Sequence, residues 1–531
     1  MPRPYTGLVT RVNEADTQKA VLAWLAEPAT HGGALVKRID THAAVVFLAG
    51  AHALKVKRAV RFPFLDYSTL DRRREACAAE LSINRPFAAD IYLRTVPITR
   101  TPAGKLMLDG DGEVVEWAVE MRRFDENATL DHVATAGRID AGLADALGRA
   151  VAAAQEAVQG GDEGGQQAVE PARWIRALAE YIEEHVAAFG ERPDLFPPAE
   201  VEVLARASRA AHGRVQPLLR ERGERGLIRR IHGDLHLGNV VLCDGRPVLF
   251  DAIEFSPLIA TGDVLYDLAF LLMDLAERGL REAANIVLNR YLVETRRVLD
   301  LDALAALPLF LSMRAAIRAK VVAARARFAA AQESAGIETE ARKYFRFACR
   351  AIEPAPALLL AVGGLSGTGK SAIARMLAPD LAPIPGAVVL RSDLERKALL
   401  ATDELEKLPP QAYSNAVTAR VYAALGDKAR RALAAGHSAI VDAVFARPSE
   451  RELMVRSATA LGIPFLGLYL HADLATRIAR IGRRGRDASD ADAAVAREQE
   501  HYDLGTLEWR RIDASGTPDD TLARVRAALP A

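Results

Sequence analysis

The chain has 531 residues, enough for about three to four domains of average size, so we expect more than one folding unit. Hydrophobic residues make up 50% of the chain and charged residues 26%, which predicts a folded globular protein and excludes disordered and collagen-like classes. The 69 Lys and Arg residues balance the 69 Asp and Glu residues at zero net charge, so no overall field favours nucleic acid or an anionic membrane.

Cysteine usage and hydropathy are typical of a protein of the reducing cytoplasm. Cys77, Cys243 and Cys349 are far apart and form no C-x-x-C pair, so neither a disulfide framework nor a thiolate metal site is expected. Residues 1–10 lack the apolar core of a signal peptide. The most apolar run, 357–362, is far shorter than the roughly 20 residues that span a bilayer. We expect a cytoplasmic protein that is neither exported nor membrane-spanning.

The first part of the chain alternates in the manner of an antiparallel sheet. The predicted elements are strands 34–39, 44–48 and 53–57 with a turn at Ala49 and Gly50, then helix 71–80 and strand 114–121. From Asp131 the pattern is helical, except for a Gly-rich loop at 160–165 and two short strands within 228–251. Helix returns over 263–350. These elements predict a β-rich N-lobe of about residues 1–120 and a helical C-lobe of about 121–352.

A different architecture follows. Residues 353–356, Glu-Pro-Ala-Pro, cannot continue a helix and are predicted to be a linker. A continuous apolar strand, 357–362, comes next, as expected for a strand buried in a parallel sheet. Further apolar runs at 387–390, 438–441 and 464–470 alternate with helical stretches. Residues 357–531 are therefore predicted to form an open parallel-sheet α/β domain.

A phosphate-binding motif connects the first strand of this domain to a helix. Residues 364–371, Gly-Leu-Ser-Gly-Thr-Gly-Lys-Ser, fit the pattern G-x-x-x-x-G-K-[ST] at every fixed position. Backbone N–H groups of such a loop turn toward phosphate oxygens beside the positive end of the helix. Lys370 is expected to reach the β- and γ-phosphates of ATP, and Ser371 to ligate Mg²⁺. The predicted nucleotide-binding residues are Gly364, Gly367, Thr368, Gly369, Lys370 and Ser371, and Lys370 is also a predicted catalytic residue.

Charged residues at the ends of later strands are candidates for the acceptor side. Asp393 follows strand 387–390 at the carboxyl edge of the sheet, so we expect it to accept the proton of an acceptor hydroxyl. Arg396, one helical turn on, would neutralise an anionic group, and Asp442, at the end of the next strand, would serve Mg²⁺. Some of the arginines after strand 464–470 are expected to form a lid over the phosphates; these are Arg477, Arg480, Arg483, Arg484 and Arg486.

This part of the chain resembles the small P-loop kinases that include gluconate kinase, the kinase half of polynucleotide kinase, chloramphenicol phosphotransferase and the zeta toxins. The resemblance covers about 175 residues, from Pro356 onward. It implies that Asp393 and Arg396 handle the acceptor and that Asp442 is the strand-end Asp of the family. It leaves the acceptor open, since members phosphorylate sugars, antibiotics, nucleotide sugars or nucleic-acid ends.

A second constellation lies upstream, in the polar loop between two short strands. Residues 231–239, Ile-His-Gly-Asp-Leu-His-Leu-Gly-Asn, place Asp234 and Asn239 five residues apart, and Asp251 follows on the return strand. This is the spacing of the protein-kinase catalytic loop and its metal-binding Asp. Asp234 is the predicted base, and Asn239 and Asp251 are the predicted Mg²⁺ ligands. His232 is expected to brace the loop.

The sequence His232-Gly233-Asp234, together with His236, resembles the aminoglycoside phosphotransferase and choline kinase branch. The resemblance implies ATP between two lobes, with Lys55 on the α- and β-phosphates and Lys57 on the same face. It implies a Glu partner for Lys55 on the following helix, and our prediction is Glu80, with Glu75 as the alternative. One feature departs from protein kinases, because residues 40–44 replace the Gly-rich loop.

A second departure lies after Asp251, where the usual Gly is missing and Glu254 could add a carboxylate. Taken together, the fold class is predicted as α/β multidomain, with a bilobal protein-kinase-like (α+β) domain over 1–352 followed by the P-loop domain over 357–531. The whole chain resembles predicted bacterial proteins described as bifunctional aminoglycoside phosphotransferase/ATP-binding proteins.

The function that this pattern predicts is transfer of the γ-phosphate of Mg-ATP to hydroxyl groups of small molecules, with one active site per domain. One alternative is a nucleotide-gated regulator in which one half only binds ATP. Another is a 5′-hydroxyl polynucleotide kinase in the C-terminal half, against which zero net charge argues. The acceptors and the oligomeric state are left open by the sequence.

Overall fold

The computed structural model describes residues 14–62, 65–159, 168–326, 331–483, 485 and 487–530. Within these ranges, no helix combines the length and the apolar character needed to cross a membrane. Residues 1–10 and the Gly-rich tract 160–165, both interpreted above, lie outside the described residues.

Seventeen strands and eighteen α-helices are found in the described residues. The strands are β1 Val36–Asp40, β2 Ala44–Ala49, β3 His52–Lys57, β4 Arg61–Phe62, β5 Leu65–Asp66, β6 Tyr92–Arg100, β7 Leu106–Leu108, β8 Glu113–Arg122, β9 Ile228–Arg230, β10 Val240–Cys243, β11 Arg246–Leu249, β12 Thr261–Asp263, β13 Leu359–Gly363, β14 Val388–Arg391, β15 Ala439–Asp442, β16 Phe465–His471 and β17 Arg510–Asp513. The helices are α1 Glu14–Leu25, α2 Leu70–Ala88, α3 Leu130–Thr135, α4 Ala141–Gln159, α5 Pro171–Gly190, α6 Pro198–Glu224, α7 Val264–Glu277, α8 Arg281–Thr295, α9 Val298–Asp302, α10 Leu307–Ala326, α11 Ala331–Ile352, α12 Lys370–Leu377, α13 Ser392–Leu399, α14 Asn415–Ala434, α15 Pro448–Thr459, α16 Leu474–Arg483, α17 Ala493–Glu498 and α18 Pro518–Arg526. Short 3₁₀ helices include Leu237–Asn239 and Pro410–Tyr413.

The chain divides into two compact units. The first comprises Met1–Arg138, Ala153–Trp174 and Leu227–Asp267, and the second comprises Ile139–Ala152, Ile175–Gly226 and Leu268–Ala531. The second unit therefore contains most of the helices that precede residue 353 as well as the sheet that follows it. The linker that we predict at 353–356 lies within this unit, and the domain bounds stay a prediction.

A six-stranded antiparallel sheet in the order β1-β2-β3-β8-β6-β7 forms the first unit's β-rich part. Alternation along β3 sends Leu54 and Val56 into a core with Val21 and Leu25 of α1. Lys55 and Lys57 consequently project from the opposite face of the sheet. Helix α2 packs on that side, where its Cys77 shares a core with Val119 of β8. The sheet thus presents two lysines to one helix.

The second unit contains a five-stranded parallel sheet in the order β14-β15-β13-β16-β17. Its central strand, β13, is apolar and buried at every residue because helices cover both faces. Register pairs Val362 and Arg391 with Asp442, so the carboxyl ends of β13, β14 and β15 meet at one edge. The predicted fold class is confirmed: a kinase-like N-terminal region and a P-loop α/β domain with a parallel sheet.

Candidate active sites

Lys55 is the centre of the candidate site in the first unit. Its Nζ lies 2.7 Å from Glu80 Oε1 on α2 and 2.6 Å from Asp251 Oδ1. Burial alone would lower the pKa of Lys55, but the Asp251 and Glu80 carboxylates outweigh it and hold that pKa well above its usual range. The alternative partner, Glu75, is exposed on α2. The structure thus brings together three of the predicted site residues around one ammonium group.

A second lysine extends this network in a way that sequence reasoning did not identify. Lys57 Nζ lies 2.5 Å from Glu80 Oε2 and also pairs with Glu254 Oε1. Tyr67 donates its hydroxyl to the same Glu254 oxygen at 2.9 Å. The hypothesis that Glu254 adds a carboxylate to the metal site is therefore wrong, because Glu254 is buried and neutralises Lys57.

The loop that carries the predicted base is held from within. Asn239 donates its side-chain Nδ2 to the backbone oxygen of Asp234 at 2.9 Å and to Asp234 Oδ2 at 3.1 Å. Asp267, at the start of α7, accepts the backbone N–H groups of His232 and Gly233 at 3.1 and 3.0 Å. Asp234 and Asn239 are thus in direct contact, and Asp267 fixes the loop that presents them.

His232 lies beneath this loop. Its Nε2 lies 2.9 Å from the backbone oxygen of Phe250, the residue before Asp251. Burial lowers the pKa of His232, which favours the neutral imidazole. A neutral, buried ring that contacts the backbone fits the bracing role that we predict for His232.

Asp251 occupies a strained backbone position with φ of +62°. Its N–H donates to the Tyr92 hydroxyl at 3.1 Å. Asn84 of α2 holds the next residue, accepting the Ala252 N–H at 2.7 Å and donating to the Ala252 oxygen at 3.3 Å. Neither Tyr92 nor Asn84 was predicted, since no motif marks them. Together they fix the carboxylate that contacts Lys55.

The turn between β1 and β2 stands where protein kinases carry a Gly-rich loop. Thr41 closes this turn, accepting the Ala44 N–H at 3.0 Å and donating to the Ala44 oxygen at 2.9 Å. The turn is therefore tight and self-bonded. In place of a flexible Gly-rich loop, the chain has only this short turn.

In the second unit, residues 364–369 form a tight loop between β13 and α12. Gly364, Gly367 and Gly369 have φ of +143°, +86° and +92°, values that side chains rarely adopt. A Cβ on Gly367 would lie 2.5 Å from the Arg477 oxygen, and one on Gly364 would lie 2.6 Å from the Leu470 oxygen. Thr368 donates its Oγ1 to the Leu365 oxygen at 2.8 Å. Backbone conformation and crowding both require glycine here.

Ser371 and Asp442 meet at the mouth of this loop. Ser371 donates its Oγ to Asp442 Oδ2 at 2.5 Å, at the end of β15. Lys370 Nζ donates to the Leu365 oxygen at 3.2 Å, across the loop. Burial lowers the pKa of Lys370, and the nearby Asp442 and Asp393 carboxylates offset this only in part. The predicted phosphate and metal residues therefore lie in one cluster.

Asp393 lies in the first turn of α13, directly after β14. Burial raises the pKa of Asp393 above its usual range, although Arg391 opposes the shift. Arg391 also lies 3.5 Å from Asp442 Oδ2 and donates to Asp487 at 3.0 Å. A carboxylate whose pKa is raised toward neutrality is a better proton acceptor at the moment of transfer. The position and electrostatics of Asp393 fit the predicted base.

Arg396, Arg477 and Arg480 contact protein groups. Arg396 is 7% exposed, donates to the Ala412 oxygen at 2.7 Å and packs over the Tyr413 ring. Its acceptor role stays a prediction. Arg477 is not a lid residue, because it is buried and its Nε donates to the Ser366 oxygen at 2.9 Å, bracing the loop from beneath. Arg484 and Arg486 lie outside the described residues.

Each site contains oxygen donors of the kind that Mg²⁺ prefers in proteins. Among the described residues, no three His, Cys, Asp or Glu side chains form a metal cage. At nucleotide sites, Mg²⁺ instead takes one or two protein oxygens and completes its shell with phosphate oxygens and water. Asp251 with Asn239, and Ser371 with Asp442, supply oxygens of this kind. Both sets therefore fit a magnesium ion bound together with a nucleotide.

Comparison with protein families defines the class. Residues 66–305 match the model described as the phosphotransferase enzyme family, and residues 359–502 match a model described as an AAA domain. The first match includes Glu80, Asp234 and Asp251 but begins after Lys55, and the second includes the loop 364–371 and Asp442. The protein is therefore an ATP-dependent kinase that joins a phosphotransferase-type domain to a P-loop kinase domain.

The chain belongs to the same family as uncharacterized protein Rv2004c of Mycobacterium tuberculosis. The two are 31% identical over 488 residues, which cover 90% of this chain and 92% of Rv2004c. Uncharacterized protein Mb2027c of Mycobacterium bovis matches with the same identity and coverage.

Solved structures resemble one part of the chain or the other. A choline/ethanolamine kinase family protein from Mesorhizobium loti is 15% identical and covers 63% of this chain and 99% of its own, with a TM-score of 0.36. A gluconokinase from Sinorhizobium meliloti is 17% identical and covers 33% of this chain and 92% of its own, with a TM-score of 0.25.

Proposed function

We propose that the protein is a bifunctional phosphotransferase, with one active site per domain, that transfers the γ-phosphate of Mg-ATP to hydroxyl groups of small molecules. The observation that carries the proposal is the contact of Lys55 Nζ with both Glu80 and Asp251, at 2.7 and 2.6 Å. In kinases this ion pair and the metal-binding Asp must both be in place for transfer. A module that only binds nucleotide has no need of the base Asp234.

At the first site, Lys55 binds phosphate oxygens with its ammonium group oriented by Glu80. Asp234 orients the acceptor hydroxyl and accepts its proton as the new oxygen–phosphorus bond forms and the bond from the γ-phosphorus to the β,γ-bridging oxygen breaks, which releases ADP. Asn239 holds Asp234 in place through its amide nitrogen. The Asn239 amide oxygen and Asp251 would hold Mg²⁺, which would supply positive charge at the phosphates.

At the second site, the backbone of residues 364–369 and the N-terminus of α12 cradle the phosphates. Lys370 stabilises the negative charge of the transferring phosphoryl group. Ser371 and Asp442 would hold Mg²⁺. Asp393 accepts the proton of the acceptor hydroxyl. The raised pKa of Asp393 supports this role, because a carboxylate whose pKa lies closer to neutral pH binds the transferred proton more tightly.

The acceptors that we propose are small molecules rather than nucleic acids or membranes. Zero net charge supports this, since polynucleotides are bound by basic surfaces. Three cysteines without a disulfide support a location in the reducing cytoplasm.

The proposal is tested by Mg-dependent ATP consumption with a panel of sugars, aminoglycosides, choline, nucleosides and 5′-hydroxyl oligonucleotides. Asp234→Asn and Asp393→Asn each remove one base without changing shape, and each should lower turnover of its own acceptor by about 10²- to 10⁴-fold. Exposed Asp111→Asn and Asp519→Asn serve as matched controls, one near each end of the chain. Turnover that survives in both base variants would refute the two-kinase proposal and favour the nucleotide-gated regulator.

A further inference from the structure

Strand β14 is an edge of the parallel sheet, and helix α8 bonds to part of that edge. Asn289 of α8 accepts the Val389 N–H at 2.7 Å and donates to the Ala387 oxygen at 3.1 Å. Asn285, one turn earlier on α8, donates to the same Ala387 oxygen at 3.0 Å. The two asparagines therefore take the place of a neighbouring strand at Ala387 and Val389.

The same helix also holds the loop that follows α13. Arg290 Nη1 lies 2.6 Å from Glu404 Oε2, and Arg149 of α4 lies 3.1 Å from the same oxygen. Both arginines also pair with Asp145, at 2.5 Å for Arg290 and 3.0 Å for Arg149. Arg290 is mostly buried, with 13% of its side chain exposed. Such a charged network in a partly buried position fixes geometry better than an isolated surface pair does.

The two contacts of α8 lie on either side of α13. Strand β14 enters α13 directly, and Asp393 is the second residue of the helix. Near the other end of α13, Lys397 Nζ donates to the backbone oxygens of Glu404 and Glu406 at 2.7 and 2.8 Å. Within the segment 387–408, helix α8 of the phosphotransferase-type half thus contacts Ala387 and Val389 before α13 and Glu404 after it.

Close packing leaves α8 little freedom at these contacts. A Cβ on Gly386, just before β14, would lie 2.7 Å from Asn285 Nδ2. A Cβ on Gly148 of α4 would lie 2.8 Å from Arg290 Cβ. Two glycines therefore allow backbone and side chain to approach at the points where α8 makes its contacts.

We propose that α8 is a structural part of the C-terminal acceptor site, in which Asn289 and Arg290 are positioning residues that fix both ends of α13 and thereby orient Asp393. The acceptor role of Asp393 rests on the proposed function, whereas the anchoring of α13 does not. The C-terminal kinase half would then depend on the N-terminal half for the geometry of its acceptor site.

The test is hydrogen–deuterium exchange of the full-length chain without ligand, combined with turnover. The variants are Arg290→Gln, Asn289→Ala and Glu404→Gln, the last of which neutralises the carboxylate that Arg290 contacts. Arg209→Gln is the matched control, because it breaks a two-bond arginine–carboxylate pair, to Glu183, elsewhere in the same unit. We expect exchange within 387–408 to quicken about tenfold in the three variants, as for loss of one charged hydrogen bond, and to stay unchanged over 359–377.

The second measurement uses the panel compound on which Asp393→Asn is inactive. The positioning variants should raise the KM for that acceptor about tenfold and leave the KM for ATP unchanged, and Arg290→Lys should restore part of the loss. Exchange within 387–408 that equals wild type, or that quickens equally over 359–377, would overturn the inference. If exchange quickens locally but Asp393→Asn alters no turnover, the anchoring stands and the proposed function of this site fails.

Discussion

Replacing Glu80 by Gln tests the ion-pair network of the first unit. Glu80 has no exposed surface, and its two oxygens face the Lys55 and Lys57 ammonium groups at 2.7 and 2.5 Å. At an effective dielectric constant of about 20, a pair of unit charges at this separation attracts by roughly 6 kcal/mol. Gln keeps the shape of the side chain but removes the charge, so both attractions are lost together.

The net cost is smaller than this sum. Each lysine keeps a second carboxylate, Asp251 for Lys55 and Glu254 for Lys57, and the neutral Gln no longer repels Asp251. Breaking a buried pair typically costs about 3–5 kcal/mol, and the remaining partners place Glu80→Gln near the lower end, at about 3 kcal/mol. For a unit of about 200 residues this corresponds to a fall in melting temperature of roughly 6–12 °C.

The assay is thermal unfolding followed by circular dichroism, with Glu75→Gln as the control on the same helix. Glu75 is exposed, so its variant should melt within about 1 °C of wild type. The pKa of Glu80 is lowered, and this determines how stability depends on pH. Burial alone would raise this pKa, but the attraction of the Lys55 and Lys57 ammonium groups to the carboxylate more than offsets the effect of burial. The ionised Glu80 therefore stabilises the fold at pH values above the pKa that Glu80 has in the unfolded chain. This stabilisation is lost as the pH falls below that pKa. A variant Glu80→Gln as stable as Glu75→Gln at neutral pH would refute this reasoning.

Two further predictions concern the second unit. Gly367→Ala forces a Cβ to within 2.5 Å of the Arg477 oxygen at a φ of +86°, so affinity for ATP at this site should fall at least tenfold by equilibrium titration. Gly482→Ala, where a Cβ meets nothing within 4 Å, should bind ATP as wild type does, and equal losses in both would contradict the account. Burial lowers the pKa of His437 to about 4, with its Nε2 against the Gly386 oxygen at 2.8 Å. The unfolded chain then binds more protons, so stability should drop by about 3 kcal/mol as pH falls from 6.5 to 4, and urea unfolding of His437→Gln should lack that drop. A pH profile parallel to wild type would exclude His437 as its source.

The fold could be predicted well where apolar patterning is strong. Strands β2, β3, β13 and β15 are continuous or alternating apolar runs, and each was predicted to within two residues at each end. Several strands were not predicted. Among them, β6 carries Pro97 and two arginines, and β17 reads Arg-Arg-Ile-Asp. Polar strands of this kind depend on pairing partners elsewhere in the chain, so local composition does not mark them.

The site residues likewise include some that the sequence could predict and some that it could not. Spacing alone found Asp234, Asn239 and Asp251, as well as the loop at 364–371, because these motifs are short and contiguous. The contacts Lys57–Glu254 and Asn84–Ala252 join residues 197 and 168 positions apart. No local pattern identifies such pairs, since they arise only when the sheet, α2 and the segment after Asp251 come together.

The anchoring role of α8 was also beyond the sequence. Asn285 and Asn289 read as ordinary polar residues of a surface helix, four apart on one face. Their significance depends on an unpaired strand edge about 100 residues further along the chain. Edge strands require cover, but nothing in a single sequence states which helix provides it.

We propose that one chain carries two nucleotide sites. Isothermal titration calorimetry with Mg²⁺ and a non-hydrolysable ATP analogue counts these sites without any knowledge of the acceptors. We expect two sites per chain for wild type, one for Lys55→Met, one for Lys370→Met and none for the double variant. A single site that disappears in Lys370→Met and persists unchanged in Lys55→Met would contradict the proposal, since the first unit would then bind no nucleotide.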